Sequence, residues 1–169
     1  MATVLKFRML TDENDNFVRD MDVPAEISLL DLHNFITQTL GYDECMASFF
    51  TADDRWERLR EFTLMDMGQA GDEAPLPMDG VMVGQVIRRL HDRLIWLFDM
   101  FANRAYYLEA VDVVEPVKGR KYPYVAFEHA QAPDQYDPEM NDDDTRSIFE
   151  EMMGDYSDFE GDDSYDDEY

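Results

Sequence analysis

Met1 to Ala132 reads as one α+β domain, and three observations predict it. Apolar runs of strand length recur along the segment, two stretches carry helical apolar spacing, and the composition breaks near Pro133 into an acidic tail. The expected order is ββα ββ α ββ, a mixed or antiparallel sheet of about six strands covered by two helices. The tail, residues 133–169, is expected to be largely disordered. From Ala130 to Tyr169 the chain holds 16 of its 39 acidic residues against one basic residue, Arg146. A segment so self-repelling and so poor in aliphatic side chains buries too little apolar surface to offset its ordering entropy.

The elements follow in order. Val4 to Leu10 mixes apolar and basic residues, Thr11 to Asn16 is a polar turn, and Phe17, Arg19, Met21 and Val23 share one side of a second strand. A hairpin results. After Pro24, Ser28 stands as an N-cap, Asp31 sits three residues on, and Ile27 with Leu32 is spaced as a hydrophobic staple. Leu29, Leu32, Ile36 and Leu40 then recur at helical spacing up to Gly41, which suits a left-handed C-terminal residue, so a helix is predicted over Leu29 to Leu40. Cys45 to Thr51 and Trp56 to Leu64 read as two strands, although Arg55 to Phe62 also admits a helix. Gly68 to Pro77 has loop composition, and Val81 to Leu90 reads as the second helix, with Asp79 as its N-cap. Leu94 to Phe98 is an unbroken apolar run, typical of a central strand covered on both faces, and Ala105 to Val114 returns beside it. Tyr122 to Phe127 has the composition of a last strand.

Composition excludes several classes. One cysteine, Cys45, leaves no intramolecular disulfide and no multi-thiolate metal site, and a reducing, cytoplasmic setting fits best. No run has the length of a signal peptide or of a membrane span. A formal net charge of −25 opposes direct contact with nucleic acid and with anionic membranes, since both attract through Lys and Arg.

Few residues offer chemistry. His33 lies beside the apolar stripe of the first helix, and Asp99 ends the apolar strand, where it could pair with Arg104 or share a pocket with His33, Trp96 and Tyr106. A buried, hydrogen-bonded His and a turn-capping Asp are the plainer readings. His91, His129 and Cys45 lack ligand spacing, so no metal is expected. Gly80 and Gly84 fall short of a phosphate loop, and Asp142 to Asp144 lack the alternation of a calcium loop, so no cofactor is expected either. Arg88, Arg89 and Arg93, with Arg55, Arg58 and Arg60, form the dense basic cluster of the body; it is either a face answering Asp92 and Glu57 or a dock for the chain's own tail.

Several of these residues carry a resemblance. Val23-Pro24-Ala25, then Leu29, Asp31-Leu32-His33, Ile36 and Gly41-Tyr42 resemble the opening motif of the plasmid Ri (pRiA-type) open-reading-frame-three-like family, also labelled transposon-passenger TnpR-like. Trp96-Leu97-Phe98-Asp99 is similar to that family's aromatic-x-aromatic-Asp strand, and Tyr122-Pro123 through Pro133-Asp134 to its closing segment. Ser48-Phe49-Phe50, Trp56, Glu61 and Thr63 to Gly68 resemble a divergent bacterial branch with an acidic tail. The resemblance implies a small α+β domain with no established activity. Where typical members continue Phe-Gly-Asp with a Trp and a His, this chain reads Met100-Phe101-Ala102-Asn103-Arg104-Ala105-Tyr106, and Met46 stands where members tend to place a His. His33 and Asp99 are what remains of the polar set.

Two function classes follow. The first is a non-enzymatic protein-interaction module whose tail, through Ile148, Phe149, Met152 and Met153 set among acids, folds onto a basic or groove-bearing protein partner. The second is a small-ligand binder or degenerate enzyme with a pocket around His33, Trp96, Asp99 and Tyr106. A minority reading is an acidic mimic of nucleic acid, which needs carboxylates held on a rigid surface.

Overall fold

A computed structural model describes residues 3–64 and 74–136. Two units divide the chain, Met1–Pro133 and Asp134–Tyr169, and every helix and strand named below lies in the first. Its elements are β1 (Val4–Thr11), β2 (Val18–Pro24), α1 (Leu29–Leu40), β3 (Ser48–Ala52), β4 (Arg58–Thr63), β5 (Leu76–Pro77), α2 (Val83–Val86), β6 (Arg93–Asp99), β7 (Arg104–Val114) and β8 (Tyr124–His129), with a 3-10 turn at Met78–Gly80. The strands form one open sheet in the order β5-β4-β3-β6-β7-β1-β2-β8. Every pairing is antiparallel except β4 with β5, so the sheet is mixed.

The sheet is larger than the six strands expected. Leu76 and Pro77, at the end of the predicted loop, pair in parallel with Phe62 and Thr63, and Tyr124–His129 closes the other edge against β2. Two residues, one of them a proline and both preceded by Pro75, carry no alternation to read, which is why β5 escaped the pattern. The ambiguous Arg55 to Phe62 segment resolves as turn and strand: Asp53 Oδ1 accepts from the N–H groups of Arg55 and Glu57, and β4 starts at Arg58. The β6 run behaves as its composition demands, buried from Leu94 to Phe98 on both faces.

One face of the sheet carries the main core. Phe7, Met9, Met21, Val23, Phe49, Leu94, Trp96, Tyr106 and Leu108 project from it against Leu29, Leu32 and Ile36 of α1, with Val83 and Ile87 from the region of α2. Helix α1 begins and ends where its caps dictate: Ser28 Oγ accepts from the Asp31 N–H at 3.0 Å, and Gly41 turns left-handed at φ 72°. The opposite face holds a smaller cluster of Ile95, Leu97 and Ala105, closed by Phe50, Ala52, Trp56 and Tyr107. Along β1 and β2 that same outer face turns charged, with Lys6 bonded to Asp22 and Arg8 to Asp20.

The second helix is one turn long where ten residues were expected, and Asp79 does not cap it. Asp79 lies in the 3-10 turn, and the residue preceding the helix is Met82. Past Ile87, the Asp92 carboxylate captures the N–H groups of Arg88 and Arg89, His91 turns left-handed at φ 76°, and its N–H reaches the Ala110 carbonyl at 2.7 Å. A local carboxylate and one long-range carbonyl thus take the N–H groups a longer helix would have used. The short helix is tied to the lead-in of α1 by Leu29 N–H to Val81, Val83 N–H to Ile27 and Gly84 N–H to Ala25.

Candidate functional site

Of the four residues proposed to share a pocket, three meet. Trp96 and Tyr106 stand on neighbouring strands in register, His33 comes down from α1, and alternation along β6 puts Trp96 and Phe98 on the helix-covered face. The Trp96 indole N–H donates to His33 Nδ1 at 3.0 Å, and the rings of Trp96 and Tyr106 lie 5.9 Å apart. Because Nδ1 accepts, the neutral imidazole carries its proton on Nε2. Burial pushes the His33 pKa below its ordinary value, with Glu44 opposing the shift, which agrees with a neutral ring.

Tyr42, which follows the α1 cap, completes the cluster. Its hydroxyl donates to the Pro133 carbonyl at 2.6 Å and lies 2.6 Å from the Tyr106 hydroxyl. A carbonyl only accepts, so Tyr42 spends its proton on Pro133 and Tyr106 must be the donor to Tyr42. Burial, then this hydrogen bond, drives the Tyr106 pKa far up and keeps the phenol protonated. Trp96 and Tyr106 are completely buried, so the aromatic cluster is filled core and not a cavity. The cleft meets the cluster at His33. His33, itself 3 % exposed, lines an opening of about 470 Å³ with Leu30, Asn34, Glu44, Cys45, Met46 and Leu64. Nothing in the pattern pointed to it, because its far wall comes from an irregular segment, residues 42–47.

Asp99 stands apart, at the end of β6 beyond an irregularity in the β6–β7 register. Its Oδ1 accepts from the N–H groups of Phe101 and Ala102, both at 3.1 Å, and its other oxygen lies 4.0 Å from Arg104. It shapes the hairpin turn. Asn103, left-handed at φ 56°, accepts from Arg58 at 2.7 Å, and Arg104 grips Glu13 with two hydrogen bonds of 2.9 and 2.8 Å. The turn is therefore held from three sides. At its tip Phe101 is fully exposed and Met100 half so.

The basic cluster is partly answered locally. Arg93 lies 3.5 Å from Glu109 and 4.4 Å over the Trp56 ring, Arg58 covers Phe50, and Arg89 is 4.0 Å from Asp92. Ile148, Phe149, Met152 and Met153, assigned to partner binding, lie outside the described residues. Among the described residues no group of three potential metal ligands occurs, and no helix is long and apolar enough to cross a membrane.

Comparison with known proteins gives a fold and a family. A protein of unknown function, MM3350 from Methanosarcina mazei Go1, has a crystal structure similar to this one, with a TM-score of 0.60 at 14 % identity over 76 % of this chain and 70 % of that one. No curated protein matches the chain. The model of the Plasmid pRiA4b ORF-3-like protein family matches residues 3–159. That span takes in both faces of the sheet, the His33 cluster and the Asp99 hairpin, and the chain belongs to the Plasmid pRiA4b ORF-3-like family.

Proposed function

We propose that the chain is a non-enzymatic, cytoplasmic protein-interaction module that presents an apolar hairpin tip to a partner and reinforces the contact through its acidic tail. The observation that carries this reading is Phe101, fully exposed beside half-exposed Met100 on a turn that Asp99, Asn103 and Arg104 hold in place. Solvent-facing turns favour Gly, Asn, Asp and Ser, whose small or polar side chains suit φ and solvation there. Met-Phe at the tip contributes nothing to the core. Burying a phenyl group that the fold leaves in water is worth ~2–3 kcal/mol to an association, and a prelocked turn costs little ordering entropy to dock.

Charge narrows the partner. Asp12, Glu13 and Asp15 lie in the β1–β2 turn, which the Arg104–Glu13 contact places at the same end of the sheet as the tip. An apolar pocket with a basic rim complements that surface. The tail would extend the contact: a helical Thr145 to Met153 aligns Ile148, Phe149, Met152 and Met153 along one face, with Asp142 to Asp144 placing negative charge at its start. In this reading His33 and Asp99 are structural, and neither nucleic acid nor membrane is engaged directly.

The test places a photo-crosslinking phenylalanine analogue at position 101 in the native cell. The expected result is one dominant crosslinked protein, with the same analogue at exposed Lys118 giving none. Equal background labelling at both positions would rule out the tip as a docking element.

A further inference from the structure

We infer that the cleft beside His33 is a binding site for a small neutral amide carrying a branched apolar substituent. The key group is His33 Nε2. Trp96 occupies Nδ1 from the core side, so the remaining ring nitrogen bears the proton, and among the described residues it has no hydrogen-bond partner. The residue is 97 % buried, yet its ring lines the opening. Nε2–H therefore faces the opening, where a ligand oxygen takes the place of water as its acceptor.

The other walls define the rest of the ligand. Leu30, Met46 and Leu64 offer an apolar wall for a branched aliphatic group, while Glu44 and Asn34 supply side-chain acceptors for an amide N–H. A volume of about 470 Å³ accommodates a single capped amino acid. Anionic ligands are disfavoured, because Glu44 stands in the wall and the chain carries a net charge of −25. A carbonyl oxygen on Nε2–H, its N–H turned to Glu44 and an isobutyl group against Leu30, Met46 and Leu64 satisfies every wall at once. The site is independent of the hairpin tip, so either can fail alone.

The chain has two tryptophans, and they sit on opposite faces of the sheet. Trp96 therefore reports on the cleft and Trp56 serves as control. An acceptor on Nε2–H makes Nδ1 a better acceptor in turn, through cooperativity along the hydrogen-bond chain. Titration of the full-length, nitrogen-15-labelled chain with N-acetyl-leucinamide should thus move the Trp96 indole proton downfield and leave Trp56 in place. N-acetylleucine, with a carboxylate in place of the amide, should bind at least fivefold more weakly. The same leucine amide unit inside a capped pentapeptide should bind more weakly as well; tighter binding by the pentapeptide would overturn the small-molecule assignment. Met46→Glu, at a half-exposed wall position that the core does not need, should abolish the Trp96 response with the fold intact. The inference is overturned if Trp96 stays still up to the solubility of the probe, if Trp56 moves as far as Trp96, or if Met46→Glu responds like the unmodified chain.

Discussion

His33 shows how far a single residue can be read before its surroundings are known. Its place beside the apolar stripe of α1 marks it as facing the sheet, and Trp96 and Tyr106 are legible as strand residues of one hairpin. Their meeting is not legible, because it depends on which face of β6 the helix covers. Asp99 was more legible: its place at the end of the apolar strand favours a turn cap or a partner for Arg104 over a pocket residue, and its carboxylate caps the turn through the Phe101 and Ala102 N–H groups. The neutral state of His33 has a measurable consequence. Burial holds its folded pKa below the ordinary value of 6.5, so the unfolded chain takes up a proton that the folded chain refuses. Its contribution to stability is complete above about pH 6.5 and is lost as the pH falls below that value toward the folded pKa. His33→Gln preserves an acceptor for Trp96 and does not titrate. Urea denaturation at pH 7.5 and at pH 5 should show the unmodified chain losing more stability on acidification than the variant; equal losses would mean that His33 is solvated in the folded state.

At the scale of elements, α1 was readable from its ends because both caps are local. Ser28 and Gly41 act within one turn of themselves, and the structure uses both. Helix α2 is shorter than its periodicity suggests because the nearby Asp92 carboxylate takes the Arg88 and Arg89 N–H groups and the distant Ala110 carbonyl takes that of His91. Its anchorage gives Gly84 a role that periodicity missed. A Cβ at Gly84 would stand 3.0 Å from the Ala25 Cβ and 3.2 Å from the Ala25 carbonyl oxygen, tight enough that the Ala25 backbone must give by a few tenths of an ångström. The Gly84 N–H bonds to that same carbonyl at 2.8 Å, so the two segments cannot simply move apart. Gly84→Val should therefore cost about 1–3 kcal/mol, seen as a lower midpoint in thermal unfolding. An unchanged midpoint would show that the lead-in to α1 yields freely. The edge strands β5 and β8 remained faint or unread because two residues and a half-exposed strand offer little alternation.

For the whole molecule, composition sets off an acidic segment after Pro133, and the α+β class was written in the mixture of periods. The sheet order was not, since β3 joining β6 brings together segments some forty residues apart with no repeat to announce it. The two-part character makes the proposed function separable into contributions. Attraction between the acidic chain and a basic-rimmed partner acts over a Debye length of ~8 Å at physiological ionic strength and mainly speeds association. Apolar contacts at Phe101 and in the tail should set the dissociation rate instead. The most direct measurement is quantitative affinity capture from the native cell with four forms: the full chain, Met100→Ser with Phe101→Ser, truncation after Tyr136, and the two combined. Truncation there keeps the Pro133 carbonyl that Tyr42 needs. The account predicts one set of partners that declines for each single change and disappears for the combination, while His33→Gln captures as much as the full chain. Retention of those partners at full level by the combined form would contradict it.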